Sequence, residues 1–314
     1  MRRAFFMIRD NRGMIYYGHM KQFYLTEIIT KDNHVHQGLY FQPSRKNKKA
    51  ILWVHGLTGR FYGDPLLMNV FADACEEHGW GFASFNNRGH DVIANIRKID
   101  RRKRADFTHA MCGAGLEKFE DCLWDIDAGI AFLIEKGFDQ VILIGHSTGA
   151  NKVCFYAGMK RDPRVVGVVL AGPTSDRFSR NTDKSNYQSN LSFMKKLMMQ
   201  GKGNEIVSGR HFFPMTPRRW LSLLAPNTKE DVFNYGDNLN VLQTFGQIKK
   251  PLLVILSELD ETADRPMLNI KDIFDDHTKS KNYNSIIIPG TTHSYTGKEK
   301  EFVGIVIDWI KQIV

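Results

Sequence analysis

Cysteine is scarce in this chain: four residues in 314, at Cys75, Cys112, Cys122 and Cys154, with no CxxC pair. In a chain of this length that argues against a disulfide scaffold, the device of small secreted domains that lack a sufficient core. Three of the four fall in helical patterns, where buried free thiols are common. No His, Cys and Asp cluster shows metal-ligand spacing, so neither a metal nor another cofactor is expected. Long apolar runs are missing as well. Stretches such as Val165–Ala171 and Pro251–Leu256 are far below the roughly 20 residues of a membrane-spanning helix, and no integral membrane segment is expected. Acidic residues are in deficit, 34 against 43 Lys and Arg, for a formal charge of +9. Much of the excess lies in Arg97–Arg104 (RKIDRRKR) and Arg45–Lys49. Without aromatic interleaving or a DNA-binding fold, that charge reads as a solvated loop, and no nucleic-acid partner is expected. Internal repeats and low-complexity tracts are absent, and nothing in the sequence speaks to oligomeric state.

Residues 1–8 (MRRAFFMI) start with charge and continue apolar, as a secretory leader does. The apolar part stops at Arg9-Asp10 and no small-residue cleavage site follows, so the expected location is cytoplasmic. Met1, Met7, Met14 and Met20 are all candidate starts. What the chain does have is a hydrophobic fraction of 42%, enough for one large α/β domain or two small ones. Short β-type runs alternate with helical patterns, the signature of a parallel sheet covered by helices. Leu25–Thr30 and Gly38–Gln42 read as early strands joined by a turn at Lys31–Asn33, followed by a strand at Ala50–His55, a helix at Pro65–His78 and a strand at Gly81–Asn86. From Leu116, apolar residues recur at Phe119, Leu123, Ile126, Ile130 and Leu133, and a helix is expected there. Glu117, Glu120 and Asp121 suit its start and Lys136-Gly137 its end. A strand at Gln140–Ile144, a helix at Lys152–Met159 and a strand at Val165–Ala171 follow. Residues 173–247 are polar, Met-rich and basic, with helical pieces at Leu191–Met199 and Trp220–Leu224, and read as an insertion. Strands resume at Pro251–Leu256 and Ser285–Ile288, ahead of a terminal amphipathic helix carrying Phe302, Ile305, Val306, Trp309, Ile310 and Ile313.

The stretch Gly145-His146-Ser147-Thr148-Gly149 fits G-x-S-x-G, with a strand before it and a helix after it. A sharp strand-to-helix turn would lift Ser147 Oγ out of the sheet, crowd out any Cβ two residues to either side, and aim backbone N–H groups at a reacting oxygen. A serine needs a base, and the base an orienting acid. Of the 11 histidines, His293 alone follows a late strand and precedes the terminal helix. Asp260, at the end of the preceding strand, is the expected acid, with Glu258, Glu261, Asp264 and Asp176 as competitors. Backbone N–H groups of Thr148 and Leu57 are expected to form the oxyanion hole, with Thr58 as the alternative to Leu57. His55, Gly56, Thr58, His146, Met198 and Trp220 stand as candidate substrate contacts. Met194, Met198, Met199, Phe193, Phe212, Phe213 and Trp220 could line an apolar acyl site or form the insertion's own core. Arg177, Arg180, Arg210, Arg218 and Arg219 leave an anionic substrate open beside plain surface charge.

These motifs, WVHGLTG, FNNRGHD, LIGHSTGA, SELDET and PGTTH in that order, resemble the α/β-hydrolases over about Leu39–Ala171 and Pro251–Val314. The stretch Glu117–Tyr156, with GHSTGANKV, is also similar to a branch containing fungal siderophore-ester hydrolases. Phe85–His90 resembles the family's D-x-R-G-x-G turn but has Asn where Asp is common. The resemblance implies an α/β fold with a mostly parallel sheet of about eight strands flanked by helices, the site at its C-terminal edge, core segments at 1–172 and 248–314, and a helical cap at 173–247. It further implies two-step acyl transfer from a small-molecule ester through a Ser147-His293-Asp260 triad. Thioesterase, acyltransferase or C–C bond hydrolysis by the same residues is the alternative, and a non-catalytic ligand-binding member of the fold the third reading.

Overall fold

In the computed structural model the described residues are 21–179 and 182–313, together with the backbone of two short paired strands, β1 (Phe6–Arg9) and β2 (Ile15–Gly18). The leader-like reading of residues 1–8, the choice of starting methionine and Arg180 lie outside them.

The expected early hairpin forms from β3 (Tyr24–Ile29) and β4 (Val35–Phe41), turning at Asn33 with φ 70°. Then come β5 (Lys49–Val54), α1 (Pro65–His78) and β6 (Gly81–Phe85). Helix α1 starts where Asp64 accepts the Leu67 N–H, with proline in the first turn. It stops at the left-handed Gly79, a helix end that favours glycine. Next are β7 (Ala94–Ile99), β8 (Phe107–Cys112), α2 (Cys122–Glu135), β9 (Gln140–His146), α3 (Thr148–Met159) and β10 (Val165–Ala171). After the insertion, β11 (Leu252–Ser257), α6 (Met267–His277), β12 (Tyr283–Ile288) and α7 (Glu299–Ile313) complete the chain.

Eight strands make one sheet in the order β12-β11-β10-β9-β5-β6-β4-β3, parallel from β12 to β6 and antiparallel at the β4 and β3 edge. The continuous apolar runs of its central strands reflect burial on both faces. Alternate residues of β5 point opposite ways: Ala50, Leu52 and Val54 join one core with α2, α3 and α6, while Ile51 and Trp53 join another with α1 and α7. Register aligns the strand ends that matter. Val54 lies opposite Gly145, Ala171 opposite both His146 and Ile255, and Ser257 opposite Ile288. Loops leaving these strands therefore emerge together along one edge, as expected of an open α/β sheet. The fold is that of the α/β-hydrolases, as the motifs imply.

The insertion, between β10 and β11, holds α4 (Tyr187–Met199) and α5 (Pro217–Leu224). Leu191, Met194, Phe213, Met215, Trp220, Leu223 and Leu224 form a separate cluster with Ala114. Farther along, Val232, Phe233, Tyr235, Leu242 and Phe245 pack into the main core beside α3 and α6.

Three sequence expectations change. The α2 helix starts at Cys122 after a 3-10 turn at Phe119–Asp121, because the chain before it is folded back by turns onto Gly113. Glu117 is consequently a buried ion-pair residue and not a helix-start acid. The basic stretch 97–104, expected as a loop, begins as the β7 half of a two-stranded hairpin whose tip spans 100–106. Arg97 pairs with Glu27 and Arg102 with Asp100.

Candidate active site

Ser147 sits between the end of β9 and the first residue of α3 with φ 57° and ψ −129°. Holding a serine there costs roughly 1–3 kcal/mol, a strain that persists only where the surroundings enforce it. Here they do. Ser147 N–H donates to Ala171 O at 2.9 Å, and its carbonyl accepts the Ala150 N–H at 2.7 Å. A Cβ on Gly145 would stand 2.3 Å from Gly149 O, and one on Gly149 would stand 2.2 Å from Val54 O. The two flanking glycines are thus required by close backbone packing.

His293 follows β12, and its ring lies over the end of β10, where a Cβ on Gly172 would come within 3.1 Å of Cε1. Its Nδ1 is 2.8 Å from Asp260 Oδ2. That contact assigns the proton to Nδ1, which donates to the carboxylate and leaves Nε2 as the acceptor. Asp260 Oδ1 accepts both the backbone N–H (2.9 Å) and the hydroxyl (2.7 Å) of Thr262. The Thr262 hydroxyl in turn meets that of Thr174 at 2.8 Å. Burial works to raise the Asp260 pKa, but the hydrogen bond and charge of His293, with Thr262, hold it below the usual carboxylate value. For His293 burial opposes the charged ring, yet the Asp260 hydrogen bond and charge outweigh it and raise the pKa above the ordinary 6.5. The competing carboxylates have other work. Glu258 accepts the Gly290 N–H, Glu261 the His293 N–H, and Asp264 pairs with Arg265. Asp176 is near His293 but does not bond to it.

Among the described residues Ser147 Oγ makes no hydrogen bond. Catalytic contacts of this kind are commonly long before substrate binds. Ser147 and His293 nevertheless line the same two cavities, and Leu57 lines both with them. The larger, about 480 Å³, runs past Trp53, Gly56, Arg60, Asp64 and Tyr295. The smaller, about 160 Å³, runs beneath the insertion past Thr174, Ser175, Asp176, His211 and Thr262. A wider depression of about 650 Å³ around Ser44–Lys48 and Glu76–Gly79 is lined by none of the candidate site residues. Leu57 N–H and Thr148 N–H have no hydrogen-bond partner among the described residues.

The remaining candidates divide. Gly56 lines the larger cavity, and a Cβ there would stand 2.8 Å from Ser147 Cβ. His55 lines it too, but its ring holds the loop: Nδ1 donates to Gly56 O (2.9 Å) and Nε2 accepts the Asn87 N–H (3.2 Å). Burial brings its pKa down to about 3. His146 donates from Nε2 to the His293 carbonyl at 2.9 Å and packs against Trp53, with burial taking its pKa down to about 4. It bears on the base through the backbone. Thr58, at φ 55°, bridges to His90. Met198 lines neither cavity beside Ser147, and Trp220 is buried in the insertion's own cluster. Both corrections share one cause: apolar spacing alone does not distinguish a cap's core from a substrate wall. Met194 and Phe213 are buried there too, while Met199 is 88% exposed.

Four of the five candidate arginines have side-chain partners among the described residues. Arg177 pairs with Asp231 and Asp237, and Arg219 with Glu117 and Glu230. Arg210 and Arg218 bond Asn190 and Asn204. Thr262 escaped the sequence reading of the site, and Asp176 entered it only as a competing acid. The Asp-x-Thr spacing of an Asx-type turn was a signal for the first; the second needed burial to be known.

A family described as "Protein of unknown function (DUF1749)" matches residues 106–314, two thirds of the chain. The chain belongs to the DUF1749 family. The DUF1749 match takes in Ser147, Asp260 and His293 and stops short of the loop at His55–Gly59. No curated protein matches the sequence. Among solved structures, this DUF1749 protein is similar to the siderophore hydrolase EstB from Aspergillus fumigatus, with TM-score 0.63 and 16% identity over 93% of this chain and 98% of that one. A thermostable carboxyl esterase from Bacillus coagulans gives 0.61 and 16% over 94% and 99%. A soluble variant of monoglyceride lipase from Saccharomyces cerevisiae gives 0.62 and 13% over 94% and 96%. At such identities the likeness is one of fold. Among the described residues no helix is long and apolar enough to cross a membrane, and no group of His, Cys, Asp and Glu could hold a metal ion.

Proposed function

We propose that this protein is a serine hydrolase that cleaves the carboxylic ester of a small or medium-sized molecule through an acyl-enzyme. The observation that carries the reading is the 2.8 Å contact between His293 Nδ1 and Asp260, set in the wall of the two cavities that Ser147 also lines. Neutral His293 takes the Ser147 proton at Nε2 as Oγ attacks the ester carbonyl. The Leu57 and Thr148 N–H groups receive the negative charge that develops on the carbonyl oxygen, each donor contributing ~3 kcal/mol. His293, now protonated and held by Asp260, gives its proton to the leaving alkoxide, and water repeats the sequence on the acyl-enzyme. Two cavities meeting at one serine suit the two halves of an ester. Esterases, lipases and a siderophore hydrolase among the similar folds lend the reading support.

A fluorophosphonate probe tests the chemistry directly. The purified protein is expected to label at Ser147 and to turn over p-nitrophenyl esters. Ser147→Ala should lose the label, with kcat falling on the order of 10⁴–10⁶-fold. Absence of labelling, or equal labelling of the variant, ends the hydrolase reading.

A further inference from the structure

The smaller cavity holds a carboxyl group that the mechanism leaves unused. Asp176 follows β10 by five residues and lines that cavity together with Ser147 and His293. Its Oδ2 is closed off from solvent and has no hydrogen-bond partner among the described residues. The charged and titratable neighbours do not supply one. Arg219 is engaged by Glu117 and Glu230, His293 donates its Nδ1 proton to Asp260, and Glu230 only repels. The cavity's His211 also has a buried, unpartnered Nδ1. A buried carboxylate oxygen without a donor is costly, and such groups are ordinarily paired or protonated. Burial, together with Glu230, pushes the Asp176 pKa up to about 7. The surrounding wall is mixed, with Thr174, Ser175, Ser179 and Thr262 beside the apolar Leu57, Phe212 and Leu224. A plain alkyl chain would find apolar contacts on Leu57, Phe212 and Leu224 but would leave Asp176 Oδ2 unsatisfied.

We propose that this cavity receives one half of the ester and that Asp176 selects for a hydrogen-bond donor on it, a primary ammonium group above all. The inference rests on the hydrolase reading and adds to it the chemistry of the substrate. A site built around an unpaired polar group rejects an analogue lacking the complementary one far more strongly than an apolar site rejects an extra methylene. An ammonium group also neutralises the carboxylate, which removes the conflict with Glu230.

The test compares kcat/KM for two matched pairs, since either half of the ester could enter: p-nitrophenyl aminocaproate against caproate, and aminohexyl butyrate against hexyl butyrate. The wild-type protein is expected to favour the ammonium member of one pair by about tenfold or more. In Asp176→Asn that ratio is expected to fall towards one. Ratios near one in the wild type, or an undiminished ratio in the variant, overturn the proposal. Because the variant could fail to fold, a second measurement uses the wild-type protein alone. Hexylammonium should slow fluorophosphonate labelling of Ser147 more than hexanol at the same concentration, and equal protection overturns the proposal. Labelling separates the two readings: a protein that never labels sinks the hydrolase reading and this inference with it, whereas one that labels without ammonium preference sinks this inference only.

Discussion

At His293 two opposing effects meet on one ring. Burial favours the neutral form, the Asp260 carboxylate favours the charged one, and the carboxylate wins, so the folded pKa lies above 6.5. In the proposed mechanism the neutral ring is the base. Activity is therefore expected to be low below that pKa, and kcat/KM to rise with pH on a limb centred above 6.5. Asp260→Asn removes the charge but keeps the burial, so its limb should move to lower pH while kcat falls on the order of 10³–10⁴-fold. A pH–rate profile of both proteins checks it; an unmoved limb would mean that some other group titrates. Ser147, His293 and Asp260 were legible in the sequence because each follows a strand in a fixed order, and strand ends are easy to place. His55 and His146 were legible as residues near the site but not as holders of backbone carbonyls. Which ring nitrogen meets which carbonyl depends on contacts between residues as far apart as His146 and His293. Asp176 was visible only as one carboxylate among several, since its want of a partner is a property of the folded cavity.

Among elements, those with clear punctuation were read correctly. Helix α1, with Asp64 before it, Pro65 in its first turn and Gly79 after it, has the boundaries its sequence announces. The β9–α3 junction falls at the glycine-flanked serine as read, although β9 runs on to His146 and α3 starts at Thr148, ahead of the expected Lys152. Gly149→Ala tests that reading. A methyl group 2.2 Å from the Val54 carbonyl and 2.8 Å from that of His55 has only backbone to push against. The substitution should separate β5 from α3 and destabilise the fold by about 1–3 kcal/mol, visible as a lowered thermal midpoint, with labelling of Ser147 lost ahead of unfolding. Elements without punctuation were misread. Leu116 and Phe119 continue the α2 periodicity, but three-dimensional contacts of Glu117 with Lys152 and Arg219 hold that segment out of the helix. The β7–β8 hairpin escaped because its charged residues dominate the pattern, while Ala94 and Ile96 alone carry the buried side. Helix α6 begins directly after Pro266 without a side-chain cap, and its apolar face is only Met267, Ile270 and Phe274.

For the whole molecule, the decisive feature is how the insertion is joined to the sheet. Arg219 on α5 is fully buried and bonds Glu230 within the insertion, Glu117 before α2, and the carbonyl of Ala114 at 2.8 Å. Glu117 also meets Lys152 Nζ at 2.7 Å, Lys152 meets Asn87 at 2.9 Å, and Asn87 donates to His55 in the loop that carries Leu57. One continuous polar chain thus runs from α5 to the loop that carries the proposed oxyanion donor. It contains two acids and two bases, so it is neutral as a unit despite the chain's +9. Burial works against an ionised Glu117, but the charges of Lys152 and Arg219 more than offset it and keep its pKa low. Removing one member of such a unit is worse than removing a balanced pair, because the remaining charge is stranded in the interior. Arg219→Ala leaves two carboxylates facing one ammonium and should cost about 3–5 kcal/mol of stability. Arg219→Ala combined with Glu230→Gln restores neutrality around the Glu117–Lys152 pair and should recover part of that loss. Denaturant melts of the wild type, the single variants and the double variant measure the coupling. If the two substitutions simply add, the segment between β10 and β11 is held by its apolar cluster alone and the buried charges do not act as a unit.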